Sequence, residues 1–216
     1  MIIYLSPAKT MKETVINCSS LLFDNSEIVN NLRSMTKAEL KKMYRCSDKI
    51  VETVAYHLEN PVNRYTYAGE AFKSLDIETL PSFDDNRVYI GSAYYGLTKL
   101  KTCMNFHRLD FTNSLRQLNK SLYDFWRPRV VDYLLHLNQP ILNLASQEYS
   151  KLIDDQRLHV IDVVFLDNGK VVSMHAKKAR GLYTRAFLED SSTYRTIEVL
   201  DYKLDNSDPN RLIYTR

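Results

Sequence analysis

Four short apolar runs, Ile2–Leu5, Val88–Ile90, Ile141–Leu144 and Val160–Leu166, alternate with longer stretches of helical periodicity. Runs of this length suit strands, and strands that alternate with helical segments build a sheet covered by helices. The longest, VIDVVFL at Val160–Leu166, leads into Asp167-Asn168-Gly169, where Asn and Gly tolerate positive φ. A hairpin with Lys170–Met174 is therefore expected. Two more short strands, around Ile197–Leu204 and Leu212–Thr215, are expected on either side of the turn-rich DNSDPN.

The helical stretches carry their own punctuation. From Ser26 to about Glu59, Ile28, Leu32 and Met35 mark one stripe, and Leu40, Met43, Ile50 and Val54 another. Thr36 followed by Glu39 is a capping box, so a new helix starts there, and Asn60-Pro61 ends the region. Ala68–Leu75 reads as a short helix. Ser121–Leu137 is a strong one despite Pro128, with the large residues of LYDFW on its core stripe. Another helix is expected from about Ser146, and a last one over Ala176–Glu189 with Ala179, Tyr183, Ala186 and Phe187 inward. No repeat or low-complexity linker interrupts the chain. The expectation is an α/β (mixed α+β) fold, one domain spanning residues 1–216 with a mixed sheet and surrounding helices.

With 44% hydrophobic residues over 216, a sizeable core can form. The formal charge of +3, from 29 basic and 26 acidic residues, is modest, so anion binding must come from local clustering. No window is long enough to span a bilayer, and MIIYLSPAKT lacks the cationic and apolar regions of a signal peptide. A soluble cytoplasmic protein is expected. Cys18, Cys46 and Cys103 are odd in number, dispersed and form no CxxC, which reads as free thiols in a reducing compartment.

Such clustering exists. HAKKARG (His175–Gly181) sets Lys177, Lys178 and Arg180 in the expected first turns of a helix, the end at which the dipole disfavours cations. A bound anion would relieve both the mismatch and the mutual repulsion. The alternative is solvated surface charge, or Arg180 paired with a carboxylate such as Asp162. SPAKT (Ser6–Thr10) places Lys9 and Thr10 where a strand ends, a common ligand position in parallel sheets. It reads equally well as a helix start with Ser6 as N-cap and Pro7 at N1. HRLDF (His107–Phe111) offers Arg108 and Asp110 as an ion pair or as a cation and an acid in one pocket. NLASQEY (Asn143–Tyr149) presents Asn143, Ser146 and Glu148 after a buried strand, although a capping serine with a first-turn glutamate accounts for much of it. The five histidines show no ligand spacing, so no metal or other cofactor is expected.

Taken in order, SPAKT, RCSDK (Arg45–Lys49), YYGL (Tyr94–Leu97), HRLDF, LYDFW, NLASQEY and AKKARG resemble the YaaA family of peroxide stress proteins. The resemblance implies a cantaloupe-like mixed α/β fold, a positively charged cleft and a helix-hairpin-helix element, for which Met35–Val51 is the candidate here. It also implies binding of double-stranded DNA and a role in limiting iron-driven oxidative damage under peroxide stress. Residue by residue, Lys9 and Thr10 match SPAKT, and Arg108 and Asp110 match the arginine and acidic residue of a YRLEM-like motif. Asn143, Ser146 and Glu148 match the NLAS-x-EY motif, and Lys177, Lys178 and Arg180 match AKKARG. His107 stands where the family motif has tyrosine, and Asp110 is shorter than the usual glutamate. Loops between Tyr65 and Arg87 and after Asp190 are trimmed. The cysteines lie outside the motifs and lend no support to a thiol-based peroxide sensor.

Two functions compete. In one, Lys9, Lys177, Lys178 and Arg180 neutralise DNA phosphates with little sequence readout. In the other, an enzyme acts on a nucleotide, nucleobase or other small anionic ligand, with Lys9, Arg108 and Asp110 as catalytic candidates. Convergence of Lys9, Arg108, Asp110 and Lys177 on one concave pocket would favour the second; a long open groove lined by cations would favour the first.

Overall fold

A computed structural model describes residues 1–14, 18–208 and 210–216. Strand β1 (Ile2–Leu5) is followed by β2 (Met11–Glu13), then helices α1 (Ser26–Arg33), α2 (Lys37–Tyr44) and α3 (Asp48–Glu59). Next come β3 (Tyr65–Tyr67), α4 (Glu70–Leu75), β4 (Val88–Ser92), β5 (Gly96–Lys99) and the long helix α5 (Leu122–Leu137). The remainder is β6 (Ile141–Asn143), the single turn α6 (Gln147–Ser150), β7 (Val160–Leu166), α7 (Ser173–Glu189), β8 (Lys203–Asp208) and β9 (Arg211–Thr215).

Seven strands form one mixed sheet in the order β5-β4-β1-β6-β7-β9-β8, while β2 and β3 pair separately. The five central strands are parallel, and antiparallel β5 and β8 close the two edges. Because β1 has β4 on one side and β6 on the other, the connections from those strands part at its carboxyl end. Open α/β sheets place ligands in such a crevice. All four residues of β1 are buried, as central parallel strands require.

Local signals explain the helices. Thr36 and Glu39 exchange both bonds of the capping box at α2. That helix stops at Arg45, in the left-handed region at φ 48°, so the helical stretch from Thr36 to Glu59 is two helices joined by a short turn. Ser121 caps α5 by accepting from the Asp124 N–H, and Trp126 is fully buried with its Nε1–H donating to the Ala93 carbonyl at 2.9 Å. The Trp126 ring lies so close to Gly96, at φ +72°, that a side chain there has neither room nor a comfortable backbone.

Several expectations need correction. Lys170–Met174 forms no strand: Asp167 and Lys170 make one isolated bridge, and α7 starts at Ser173. Both edges of β7 are already taken by β6 and β9, leaving no place for a hairpin partner. The earlier helix start also puts Lys177 and Lys178 in the second turn, which weakens the dipole argument. At the C-terminus the first strand runs through Lys203–Asp208, into the expected turn, while Val199–Tyr202 makes only a bridge. No helix follows Ser6; SPAKT is the loop from β1 to β2. The cysteines are not all free, because Cys18 and Cys103 form a disulfide and Cys46 alone remains a thiol. No helix among the described residues is long and apolar enough to cross a membrane.

Candidate functional site

A cavity of about 470 Å³ opens at the carboxyl ends of β1, β4 and β6. Five segments wall it: the β1–β2 loop, Tyr67–Lys73 at the start of α4, His107–Asp110, the β6–α6 connection and one face of α7. It collects Lys9, Thr10, Arg108, Asp110, Ser146, Glu148, Lys177 and Arg180 from motifs that are far apart in the chain.

Two of the expected residues are not there. Asn143 faces a different cavity, where its amide donates to Asp162 Oδ1 at 2.7 Å and Ser150 Oγ at 3.0 Å. It pairs with Asp162 across the β6–β7 register, so its role is to join two strands. Lys178 is exposed and does not line the cavity. Conversely, sequence reasoning passed over Tyr67, Lys73 and Met174, which do line it and lie in no motif.

Hydrogen bonds hold the walls in place. Ser6 Oγ accepts from the Ser146 N–H at 2.8 Å and lies 3.1 Å from Ser146 Oγ, tying the β1–β2 loop to the end of β6. The His107 Nδ1–H donates to the Asn105 carbonyl at 2.9 Å, which leaves Nε2 facing the Tyr67 hydroxyl at 3.2 Å. Burial pulls the His107 imidazole down to about 4, although the Asn105 carbonyl opposes this, so the ring is neutral near pH 7. The shorter Asp110 reaches Lys9 Nζ at 2.8 Å and accepts from the Tyr149 hydroxyl at 3.2 Å. Glu148 Oε1 accepts from the Phe111 N–H at 3.0 Å. Burial first, and the Asp110 charge second, push the Glu148 carboxyl above its ordinary range.

The cations divide into two kinds. Lys9 is neutralised by Asp110. Arg180 is largely enclosed, its Nε is fully buried with no hydrogen-bond partner, and it makes no ion pair among the described residues. Asp162, the carboxylate suggested by the sequence to neutralise it, is bonded to Asn143 instead. A guanidinium without an acceptor in an enclosed position is costly unless a ligand supplies one. Lys177, one helical turn earlier, and Arg108 across the cavity also lack carboxylate partners among the described residues. The site is thus a concave chamber in which Lys73, Arg108, Lys177 and Arg180 lack a carboxylate partner among the described residues, with Asp110 and Glu148 on one wall.

The chain as a whole is similar to known proteins. The family described as "Peroxide stress protein YaaA" matches residues 1–207. A UPF0246 protein of Francisella tularensis subsp. mediasiatica (strain FSC147) is 30% identical over 254 aligned positions, covering 100% of both chains. UPF0246 proteins of Francisella tularensis subsp. novicida and Francisella philomiragia match at the same identity and coverage. The aligned length exceeds the 216 residues here, so that relative carries residues that this chain lacks. From its first strand to the antiparallel edge of its sheet, this chain belongs to the YaaA family of peroxide stress proteins.

Proposed function

We propose that the protein binds double-stranded DNA, with one phosphate-bearing nucleotide unit entering the cavity, and that this binding limits peroxide- and iron-driven damage to the DNA. The observation that carries the reading is Arg180: an enclosed guanidinium with no partner for Nε, lining a chamber with Lys177 and Arg108. Phosphate oxygens are the acceptors such a group takes in bidentate fashion. Lys9, Thr10 and Lys177 line the cavity and are also exposed, so a backbone running across the opening could meet them. The reading places the protein in the cytoplasm, with the DNA. Among the described residues no group of three or more His, Cys, Asp or Glu is arranged to hold a metal, so the effect on iron damage is assigned to the DNA and not to iron storage.

A second reading has its own support. Phosphate neutralisation does not require a Lys9–Asp110 ion pair beside a Glu148 carboxyl with raised proton affinity. That set suits acid–base work on a small nucleotide-like anion, and convergence on one pocket favours it over an open groove.

Fluorescence anisotropy with a labelled duplex at several salt concentrations separates the two. DNA binding predicts a log–log salt slope that shrinks by about 0.9 for each phosphate left unneutralised in Lys177→Ala and Arg180→Met. Nucleoside monophosphates should then compete poorly. Absence of salt-dependent duplex binding refutes the first reading, and nucleotide binding without duplex binding establishes the second.

A further inference from the structure

The disulfide joins two parts of the chain that neither functional reading uses. Cys18 and Cys103 are 85 residues apart in sequence, with Cα atoms 5.2 Å apart. Their approach does not depend on the S–S bond. The Ser19 N–H donates to the Lys101 carbonyl at 3.0 Å, and Ser19 and Thr102 form a bridge. Asp85 accepts from both the Lys101 N–H, at 2.8 Å, and the Ser19 hydroxyl. Cys18 is exposed, whereas Cys103 is 4% exposed. This asymmetry suits a pair in which one sulfur meets an oxidant and the other resolves the product.

We propose that Cys18 and Cys103 are a peroxide-oxidised dithiol pair, and that their disulfide tethers the segment leading to the cavity's Arg108 and Asp110. In the first step the Cys18 thiolate attacks one oxygen of hydrogen peroxide. The O–O bond breaks, the departing hydroxide takes up a proton as water, and Cys18 becomes a sulfenic acid. The Cys103 sulfur then attacks the Cys18 sulfur, the S–O bond breaks and a second water leaves. Both sulfurs are oxidised to the disulfide while one peroxide is reduced to two waters. Beyond Cys103, Met104 exchanges both backbone bonds with Tyr65, and Asn105 bonds the His57 carbonyl and the Tyr95 hydroxyl. The tether therefore joins an already ordered path to His107, Arg108 and Asp110.

The test uses the full-length protein and does not depend on DNA binding. Cells expressing it are acid-quenched before and after a peroxide challenge, free thiols are alkylated with N-ethylmaleimide, and intact mass is read. All three cysteines should carry the label before the challenge, and Cys46 alone after it, without dimer formation. Cys18→Ser should retain both remaining labels after the challenge, whereas Cys103→Ser should keep the Cys46 label and lose that of Cys18, which gains the mass of oxygen as a sulfenic or higher acid for want of a resolving sulfur. A disulfide already complete in unstressed cells would make the bond purely structural and overturn the proposal. So would full labelling after peroxide, a dimer, or loss of label in Cys103→Ser through pairing of Cys18 with Cys46. If a serine variant fails to fold, purified wild type reduced with a phosphine and treated with one equivalent of peroxide gives the same decision from the label count.

Discussion

Gly181, the last residue of AKKARG, is where α7 presses closest to α4. A Cβ built there would lie 2.1 Å from the Ala71 carbonyl oxygen, 2.9 Å from the Ala71 carbonyl carbon and 2.9 Å from Ser74 Cβ. The first two are backbone atoms of a helix and cannot turn aside as a flexible side chain can. The α4 C-terminus is also clamped to α7, because Arg185 donates to the carbonyls of Leu75 and Asp76 and to Thr79 Oγ1. In an unpacked helix, Gly181→Ala would stabilise by about 1 kcal/mol. Here it must push the two helices apart, and overpacking of this kind costs about 1–3 kcal/mol or more. With the obstacle being backbone, the upper part of that range applies, and a net loss of about 2 kcal/mol is expected. For a chain of this size that lowers Tm by about 4–8 °C. Since α4 and α7 form adjoining cavity walls, anion binding should weaken as well. Thermal melts followed by circular dichroism decide the matter, with exposed Lys178→Ala as a control that should stay within about 0.5 kcal/mol of wild type. A Gly181→Ala protein that melts at or above wild type would refute the claim that close backbone packing fixes this wall.

Other consequences concern the charges. Arg180→Met should raise stability by up to about 1 kcal/mol while abolishing binding of the phosphate-bearing ligand; a variant less stable than wild type would mean the guanidinium has a partner in the folded protein. The Glu148 carboxyl is raised by burial, so the folded state holds its proton to higher pH than the unfolded state does. Stability from this group is lost as pH rises from the ordinary carboxylate value through the raised one. Glu148→Gln should flatten that dependence in a pH series of melts, and an unchanged profile counts against it. His107 works in the opposite sense. Folded near 4 and unfolded near 6.5, it withdraws stability as pH falls through that window. His107→Gln should therefore lessen the acid sensitivity between those values, and equal acid sensitivity in both proteins would show the ring is not buried neutral.

Local chemistry was legible in the sequence wherever it settles structure by itself. The Thr36–Glu39 box, the amphipathic stripe of α5 and the apolar strand runs all act over a few residues, and each element formed. The motifs also named much of the cavity lining, and SPAKT and NLAS reach it because they leave the carboxyl ends of the parallel strands β1 and β6. What failed depended on distant partners. DNG signalled a hairpin, but β7 was already flanked on both edges. Asn143 belongs to a motif, yet Asp162 on the next strand captures its amide. Nothing near Cys18 announces Cys103, since the Ser19–Thr102 bridge that aligns them exists only after folding. Lys73 and Tyr67 reach the cavity because α4 and β3 pack there, which no local pattern encodes.

The position of β1 also sets a timetable for synthesis. It lies inside the sheet, third of seven strands, paired with β4 where Ile3 faces Val88 and with β6 where Ile2 faces Ile141. A ribosome makes IIYL long before either neighbour, and at about 5–20 residues per second Ile141 follows on the order of ten seconds later. Until β4 is made this strand has no partner, and its other edge stays open until β6 follows. Folding cannot proceed fragment by fragment from the start of the chain; it must wait until β6 has emerged. The nascent protein is thus most dependent on chaperone shelter in its first half, and truncations that stop before Ile141 should aggregate and not fold.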